Sequence, residues 1–261
     1  MTAQKSWLWR CAGCGFLHST LPAGAGTGVD GLAALRRRNF DVLLSRLNAL
    51  LPLAGKNLLE VGCSTGLFLE AASAHGLIVA GIEPETQKGD IARGKGFSVR
   101  DGFFPDALHA DDVFDLIVFN DVFEHLPRPE DALPFCEKHL APGGLLVINL
   151  PDSRGILYRI AGMLDRAGYA GPFERLWQKS MASPHITYFN QANLTQFVQT
   201  RTGLKRVASF PLDTLARVGL RERIKASVPE PIASLMYAAL LLLIPLQRIL
   251  PSDILVQVFR R

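Results

Sequence analysis

A chain of 261 residues, 48% hydrophobic and 20% charged, is long enough to bury a sizeable core and fits one α/β domain with additions. A net charge of +4 does not call for nucleic acid as a partner, and none is expected. The excess is C-terminal: ten Lys/Arg against four Asp/Glu after residue 200 leave +6 there and −2 before it. Four cysteines, and an N-terminus without a charged stretch leading into an apolar core, give the expectation of a cytoplasmic protein with reduced thiols.

Residues 1–28 read as a short N-terminal segment and a Gly/Ala/Pro-rich linker. Cys11-Ala12-Gly13-Cys14-Gly15 has the shape of a zinc knuckle. A structural zinc wants four ligands, and the nearest further candidate is His18. Two readings stand: a half knuckle without metal, or a zinc shared across a dimer. No metal ligand set is assigned. From residue 29 the chain reads as a single larger domain to 261. Residues 29–52 carry apolar residues at helical spacing, and Arg36-Arg37-Arg38 on that helix reads as a solvated face.

A strand is predicted at Asn57–Val61, a small-residue turn at Gly62–Gly66 and a helix at Leu67–His75. A second strand, Leu77–Ile82, ends in Glu83-Pro84. A helix near 85–93 leads to a strand at Phe97–Arg100 and the turn Asp101-Gly102. The apolar run Phe114–Phe119 ends in Asn120-Asp121, a helix follows at 130–140, and Ala141–Gly144 stops it before a strand at Leu145–Leu150. Nearly all-apolar strands alternating with helices predict a parallel sheet covered on both faces. Residues 151–189 break this rhythm and read as a lid or substrate insertion. Asn190 caps a helix to Thr202, and strands follow at Lys205–Phe210 and Ile254–Phe259. Between these strands, 213–250 reads as a second insertion, with a basic stretch at 217–225 and an apolar helix at 232–244. Its longest apolar run, Leu235–Leu246, is broken by Pro245 and is short of the roughly 20 residues a spanning helix needs.

Ligands of open α/β sheets bind beyond the carboxyl ends of the strands. Gly62 and Gly66 permit positive φ there, and the turn amides with the following helix N-terminus suit an anionic group such as a carboxylate. The spacing is Gly62-x-x-x-Gly66 rather than the Gly-x-Gly-x-x-Gly of dinucleotide sites. Glu60 would repel a diphosphate but attract a cation. Glu83, at the end of the next strand, can accept from both hydroxyls of a ribose.

Six pieces in order carry a resemblance: Glu60–Gly66, Gly81-Ile82-Glu83-Pro84, Phe114-Asp115-Leu116-Ile117-Val118, Glu124-His125-Leu126, Pro142-Gly143-Gly144 and Pro184–Phe189. Over about residues 55–210, with the strand at 254–259, the chain resembles the class I S-adenosylmethionine-dependent methyltransferases, and among them the bacterial small-molecule and lipid methyltransferases. Ser64 departs from the glycine common in that family. The resemblance implies an α/β fold with a Rossmann-like, seven-stranded, mostly parallel sheet, helices on both faces and the last strand antiparallel. It implies S-adenosylmethionine as cofactor: Glu60 toward the ammonium, Gly62, Cys63, Ser64 and Gly66 cradling the methionine end, Glu83 and Pro84 at the ribose, Asp101 or Gly102 at the adenine edge, and Asn120 and Asp121 near the methionine part.

Methyl transfer to a hydroxyl needs a base titrating near neutrality. His125 and His185 are candidates, with Tyr188 to orient the acceptor. Against this, His125 reads equally as a loop-bonded structural histidine and His185 as a lid anchor. The expected reaction moves a methyl group to an O, N or C atom of a small-molecule or lipid-like acceptor. Two alternatives are a nicotinamide-dependent oxidoreductase on a related fold and a non-catalytic S-adenosylmethionine-binding protein. Arg217, Arg221, Arg223 and Lys225 beside the apolar helix suit an anionic membrane, which would put the protein at the periphery of the inner membrane through 217–246. The other reading buries that helix on its own sheet, on the lid or in a dimer.

Overall fold

Three short strands, β1 (Thr2–Lys5), β2 (Leu8–Arg10) and β3 (Leu17–Ser19), open the chain as an antiparallel meander. The computed structural model describes residues 1–22, 33–215, 219–225 and 229–261. The linker read up to 28, the first turn of the helix read from 29, and Arg217 therefore lie outside the described residues. Helix α1 (Ala33–Leu50) buries Leu35, Phe40, Leu43, Leu44 and Leu47 along one stripe and ends before Pro52.

The central layer then builds as strand and helix alternate: β4 (Asn57–Val61), α2 (Leu67–Ala74), β5 (Ile78–Glu83), α3 (Thr86–Gly94), β6 (Ser98–Asp101), β7 (Phe114–Asn120), α4 (Pro129–His139) and β8 (Leu140–Pro151). Helix α4 starts on Pro129, carries Glu130 and Asp131 in its first turn and Lys138 and His139 in its last, so its charges oppose the helix dipole at both ends. The insertion after β8 folds into α5 (Ile156–Arg166), α6 (Gly171–Leu176) and the two-residue strand β9 (Thr187–Tyr188). A capping box between Asn190 and Asn193 starts α7 (Gln191–Gln199). Strand β10 (Lys205–Pro211), helices α8 (Leu220–Lys225) and α9 (Ile232–Leu243), and β11 (Ile254–Arg260) complete the order.

Seven strands form one sheet in the order β10-β11-β8-β7-β4-β5-β6. The pairs from β8 to β6 are parallel, and β11 runs antiparallel between β8 and β10. From β4 the chain steps outward through β5 and β6, then returns to the other side of β4 with β7. That reversal is the switch point at which such sheets bind ligands. On one face Leu59, Val61, Ile117, Phe119 and Ile148 pack under α4 and α7; on the other Leu58, Leu116, Val118 and Val147 pack under α1 and α2. Each such buried side chain contributes about 1.5–3 kcal/mol of transfer free energy.

A second sheet, β1-β2-β3-β9, joins the N-terminal segment to the lid. Leu8, Leu17 and Leu21 share a core with Ala161, Phe173, Trp177 and Tyr188. Helix α9 meets α8 and Leu157 through Ala233 and Tyr237, while Leu235 and Leu242 are each 73% exposed and Ile249 beyond it is 80% exposed.

Candidate active site

The carboxyl ends of β4, β7 and β8 carry a polar ladder inside an apolar sheet. Asn149 Nδ2 donates to Asn120 Oδ1 at 3.3 Å, and Asn120 Nδ2 donates to Glu60 Oε1 at 3.1 Å. Glu60 and Asn149 are buried, and Glu60 Oε2 and Asn149 Oδ1 have no partner. Burial pushes the Glu60 carboxyl up to about 8, against the Asn120 hydrogen bond and the Arg36 charge, while the Glu83 and Asp121 carboxylates push it further. Two orphaned acceptors at one place fit a ligand that brings N–H donors and positive charge.

The glycine turn is pinned from below. Gly62 has φ 70° and a Cβ there would lie 2.6 Å from Val122 Cγ2; a Cβ on Gly81 would lie 2.4 Å from the Cys63 sulfur. Ser64 takes a left-handed φ of 48°, the conformation a glycine adopts freely. The expectation that the turn amides receive a carboxylate narrows, because four of them are already paired. Gly62 and Cys63 both donate to Ile82 O, at 2.8 and 3.1 Å, and Gly66 donates to Cys63 O at 2.9 Å. Ser64 N donates to Glu83 Oε2 at 2.7 Å. These four amides are spent on holding the turn, and the buried Cys63 thiol is pushed up to about 12 by desolvation.

Glu83 is buried between Ser64 and Glu85, whose amide donates to Oε1 at 2.9 Å. Each carboxylate oxygen keeps a second lone pair, so a diol can share it. Pro84 stands exposed beside it. One strand further, Asp101 accepts from Arg93 of α3 at 3.2 Å, and Gly102, at φ 126°, donates to Glu83 O.

The cation at this edge is Arg36, 3.5 Å from Asp121 Oδ2 and opposing the raised titration of both Glu60 and Glu124. Arg37 and Arg38 lie exposed on the solvated face the sequence suggests, paired with Glu70 and Asp213, each at 3.2 Å, whereas Arg36 departs from that reading. Helical periodicity could not find Arg36, because its proximity to the strand ends arises only when α1 folds back over them. Asn149 carried a weak signal, a lone amide in an apolar strand.

After β7 a 3₁₀ turn, Phe123–His125, meets the lid. His125 Nδ1 donates to Pro184 O at 2.9 Å, which leaves Nε2 as the bare nitrogen. Its ring centroid lies 4.8 Å from that of His185. His185 is buried, takes a hydrogen bond from Gln178 Nε2 at 3.0 Å and is pushed down to about 3 by burial and by His125. Burial lowers His125 as well, and raises Glu124 well above the carboxylate range. Tyr188 does not face an acceptor: it is buried in the lid core, its hydroxyl donates to Leu176 O at 3.2 Å, and its ring packs 4.7 Å from Trp177. No metal ligands were expected, yet Glu124, His125 and His185 each offer a ligand atom within 4.8 Å of the others, the one such trio among the described residues.

Residues 33–209 match the methyltransferase domain family. The ubiquinone biosynthesis O-methyltransferase of Coxiella burnetii is 30% identical over 132 residues, 46% of this chain and 55% of that protein. Its counterpart in Thiobacillus denitrificans is 27% identical over 117 residues, 42% of this chain and 50% of that one. The chain thus spans about half the length of the curated relatives it matches. Among solved structures, an S-adenosylmethionine-dependent methyltransferase from Archaeoglobus fulgidus superposes with a TM-score of 0.55 at 17% identity, over 88% of this chain and 97% of that one. The magnesium protoporphyrin IX methyltransferase of Synechocystis, solved with bound SAH, gives 0.58 at 11% identity, over 91% and 90%. At these identities the structures share the fold.

Proposed function

The chain belongs to the methyltransferase domain family, the class I S-adenosylmethionine-dependent methyltransferases, and from that membership we propose that it methylates a hydroxyl of a small, apolar acceptor such as a quinone precursor. The nicotinamide reading falls with the family match. The observation that carries the proposal is the pair of buried, unpartnered acceptors, Glu60 Oε2 and Asn149 Oδ1, beside a braced glycine turn at the switch point of the sheet.

S-adenosylmethionine supplies an electrophilic methyl on its sulfonium. Glu60 and Asn149 would hold its ammonium, Arg36 its carboxylate and Glu83 its ribose hydroxyls. His125, neutral because it is buried, would take the acceptor's proton at its bare Nε2 as the acceptor oxygen gains the methyl group. His185, with Gln178, holds the lid against His125 and excludes water. Support for a hydroxyl acceptor comes from the names of the curated relatives, both O-methyltransferases. Incubation with isotopically labelled donor and polyprenyl-substituted catechols, read by mass spectrometry, should show one labelled methyl per acceptor. Donor binding with no methyl gain in these acceptors or in a cell extract would leave a binding protein instead.

The exposed apolar side chains Leu235, Leu242 and Ile249, in the same insertion as the exposed Arg221 and Lys225, support docking on an anionic membrane surface where such acceptors reside. No helix among the described residues is long and apolar enough to cross a membrane. Co-sedimentation with phosphatidylglycerol vesicles at low salt, lost at high salt, is expected; no binding at low salt refutes it.

A further inference from the structure

Three side chains able to bind a metal converge where the turn after β7 meets the lid. Glu124 and His125 lie on the Phe123–His125 turn, and His185 comes from the lid just before β9. Each offers one donor atom, and the three atoms lie within 4.8 Å of one another. Glu124 Oε1 is 4.0 Å from His185 Nε2, and the two imidazole centroids are 4.8 Å apart. Glu124 is 1% exposed and His185 7% exposed. Glu124 Oε2 and His185 Nδ1 are buried with no hydrogen-bond partner. A carboxyl oxygen sealed from water with nothing to bond is costly, and a ligand that satisfies it is favoured.

The donor set selects the ion. One carboxylate oxygen and two imidazole nitrogens suit zinc and its neighbours among the divalent transition metals, whereas magnesium and calcium prefer oxygen alone. His125 already makes the outer contact of a metal-bound histidine: Nδ1 donates to Pro184 O at 2.9 Å, which leaves the Nε2 lone pair as the ligand. It is also the partly exposed member of the trio, so an ion has a way in. We propose that Glu124, His125 and His185 form a zinc site that switches methyl transfer off: the ion ties the lid to the turn after β7 and occupies the nitrogen that receives the acceptor's proton. The inhibition rests on the reading of His125 as that base. The lid also latches without the ion, since Gln178 Nε2 donates to His185 Nε2 at 3.0 Å and Pro184 O holds His125. Zinc therefore competes with a working arrangement and does not complete one. Ligand bonds of about 2.0–2.1 Å put the donors of a tetrahedral ion roughly 3.3 Å apart. Binding thus draws His185 away from Gln178 and toward Glu124 and His125, with water in the fourth position.

The test uses the full chain stripped of metal, with zinc chloride as the ligand and cobalt chloride as the spectroscopic probe. Cobalt at the trio should show visible d–d bands without the near-ultraviolet thiolate charge-transfer bands that Cys11 and Cys14 would produce, and zinc should displace it. Glu124→Gln and His185→Gln should each weaken this site by more than about 100-fold, beyond the loss of an outer contact, while keeping the circular dichroism and donor affinity of the parent. Zinc should slow methyl transfer in competition with the acceptor, a chelator should restore it, and magnesium chloride should have no such effect. The absence of a nitrogen–oxygen cobalt site, or one that survives both substitutions, would overturn the metal site and leave His125 as the base. Zinc bound at the trio with transfer unchanged or faster would overturn the inhibition and, with it, the role of His125 as the base.

Discussion

Glu60 sets the pH behaviour of the donor site. Its carboxyl is raised from 4.5 to about 8 by burial, so the free protein holds it protonated at pH 7. A cation placed against it favours the ionised form. Donor binding at pH 7 should therefore release a proton, and affinity should rise with pH toward about 8, where the donor's own ammonium begins to lose its charge. Calorimetry in two buffers of different ionisation enthalpy measures that proton directly, and Glu60→Gln should abolish it. The same shift has a stability consequence of fixed sign. Between 4.5 and about 8 the folded state binds the proton and the unfolded state does not, so stability falls as pH rises through that window. Glu60→Gln should flatten that part of a melting-temperature profile. Glu83 acts differently, as a brace for Ser64 and Glu85 as well as a ribose acceptor. Loss of a hydrogen bond to a charged group, about 1.5–3 kcal/mol, predicts donor affinity roughly 10- to 150-fold weaker in Glu83→Gln. Unchanged affinity would remove the ribose assignment.

At the scale of elements, the lid is fastened by one carboxylate. Asp253, just before β11, accepts from the amides of Leu157 and Tyr158 at 3.1 and 2.9 Å and so caps α5 from another part of the chain. Gly155 makes room for it, since a Cβ there would lie 2.2 Å from Asp253 Oδ1. Asp253→Ala should cost about 1–2 kcal/mol of local stability, by analogy with a lost N-cap. Hydrogen exchange should then speed up in 156–166 with β4 and β7 unchanged. The strands of the large sheet were legible because each is a short apolar run between breakers. Their ends shifted where backbone chemistry is ambiguous: β8 begins at Leu140, not Leu145, because Leu140 already pairs with Phe114 and the residues up to Gly144, with Gly143 at φ 78°, form an irregularity in the ladder rather than a stop. The lid helices α5 and α6 and the strands β1–β3 and β9 were not legible. Strands of two to four residues have no period to read, and β3 finds β9 some 170 residues away. Residues at strand ends, such as Glu60 and Glu83, could be located from sequence alone, whereas Arg36, Glu124 and Asn149 reach the site through tertiary folding.

Across the whole molecule, the core of the large sheet and a smaller one beside it meet at the lid. The larger covers both faces of the seven-stranded sheet, and the smaller joins the N-terminal hairpin to α5, α6 and Tyr188. Leu17 is buried in the small core only. Leu17→Ala should loosen 1–22 and 151–189 together, leave the central strands protected in hydrogen exchange, and raise the acceptor KM with little change in donor affinity. Faster exchange confined to 1–22 would show that the lid stands without the N-terminal sheet. The assignment of Tyr188 to this core explains why its motif position misleads: the side chain that a sequence comparison would send to the acceptor is the one that holds the two units together.

The interior position of β11 also has a consequence for biosynthesis. Every strand bearing a donor-site residue has been synthesised once residue 151 is made, but the slot between β8 and β10 stays open until 254–260 follow. At roughly 5–20 residues per second, the intervening hundred or so residues keep β8 unpaired along that edge for about 5–20 s. A nascent chain in that interval depends on chaperone protection more than one whose sheet closes as it grows. A premature stop between 152 and 253 leaves each donor-site residue encoded and the sheet unclosed, so such an allele loses protein abundance before it loses any chemistry.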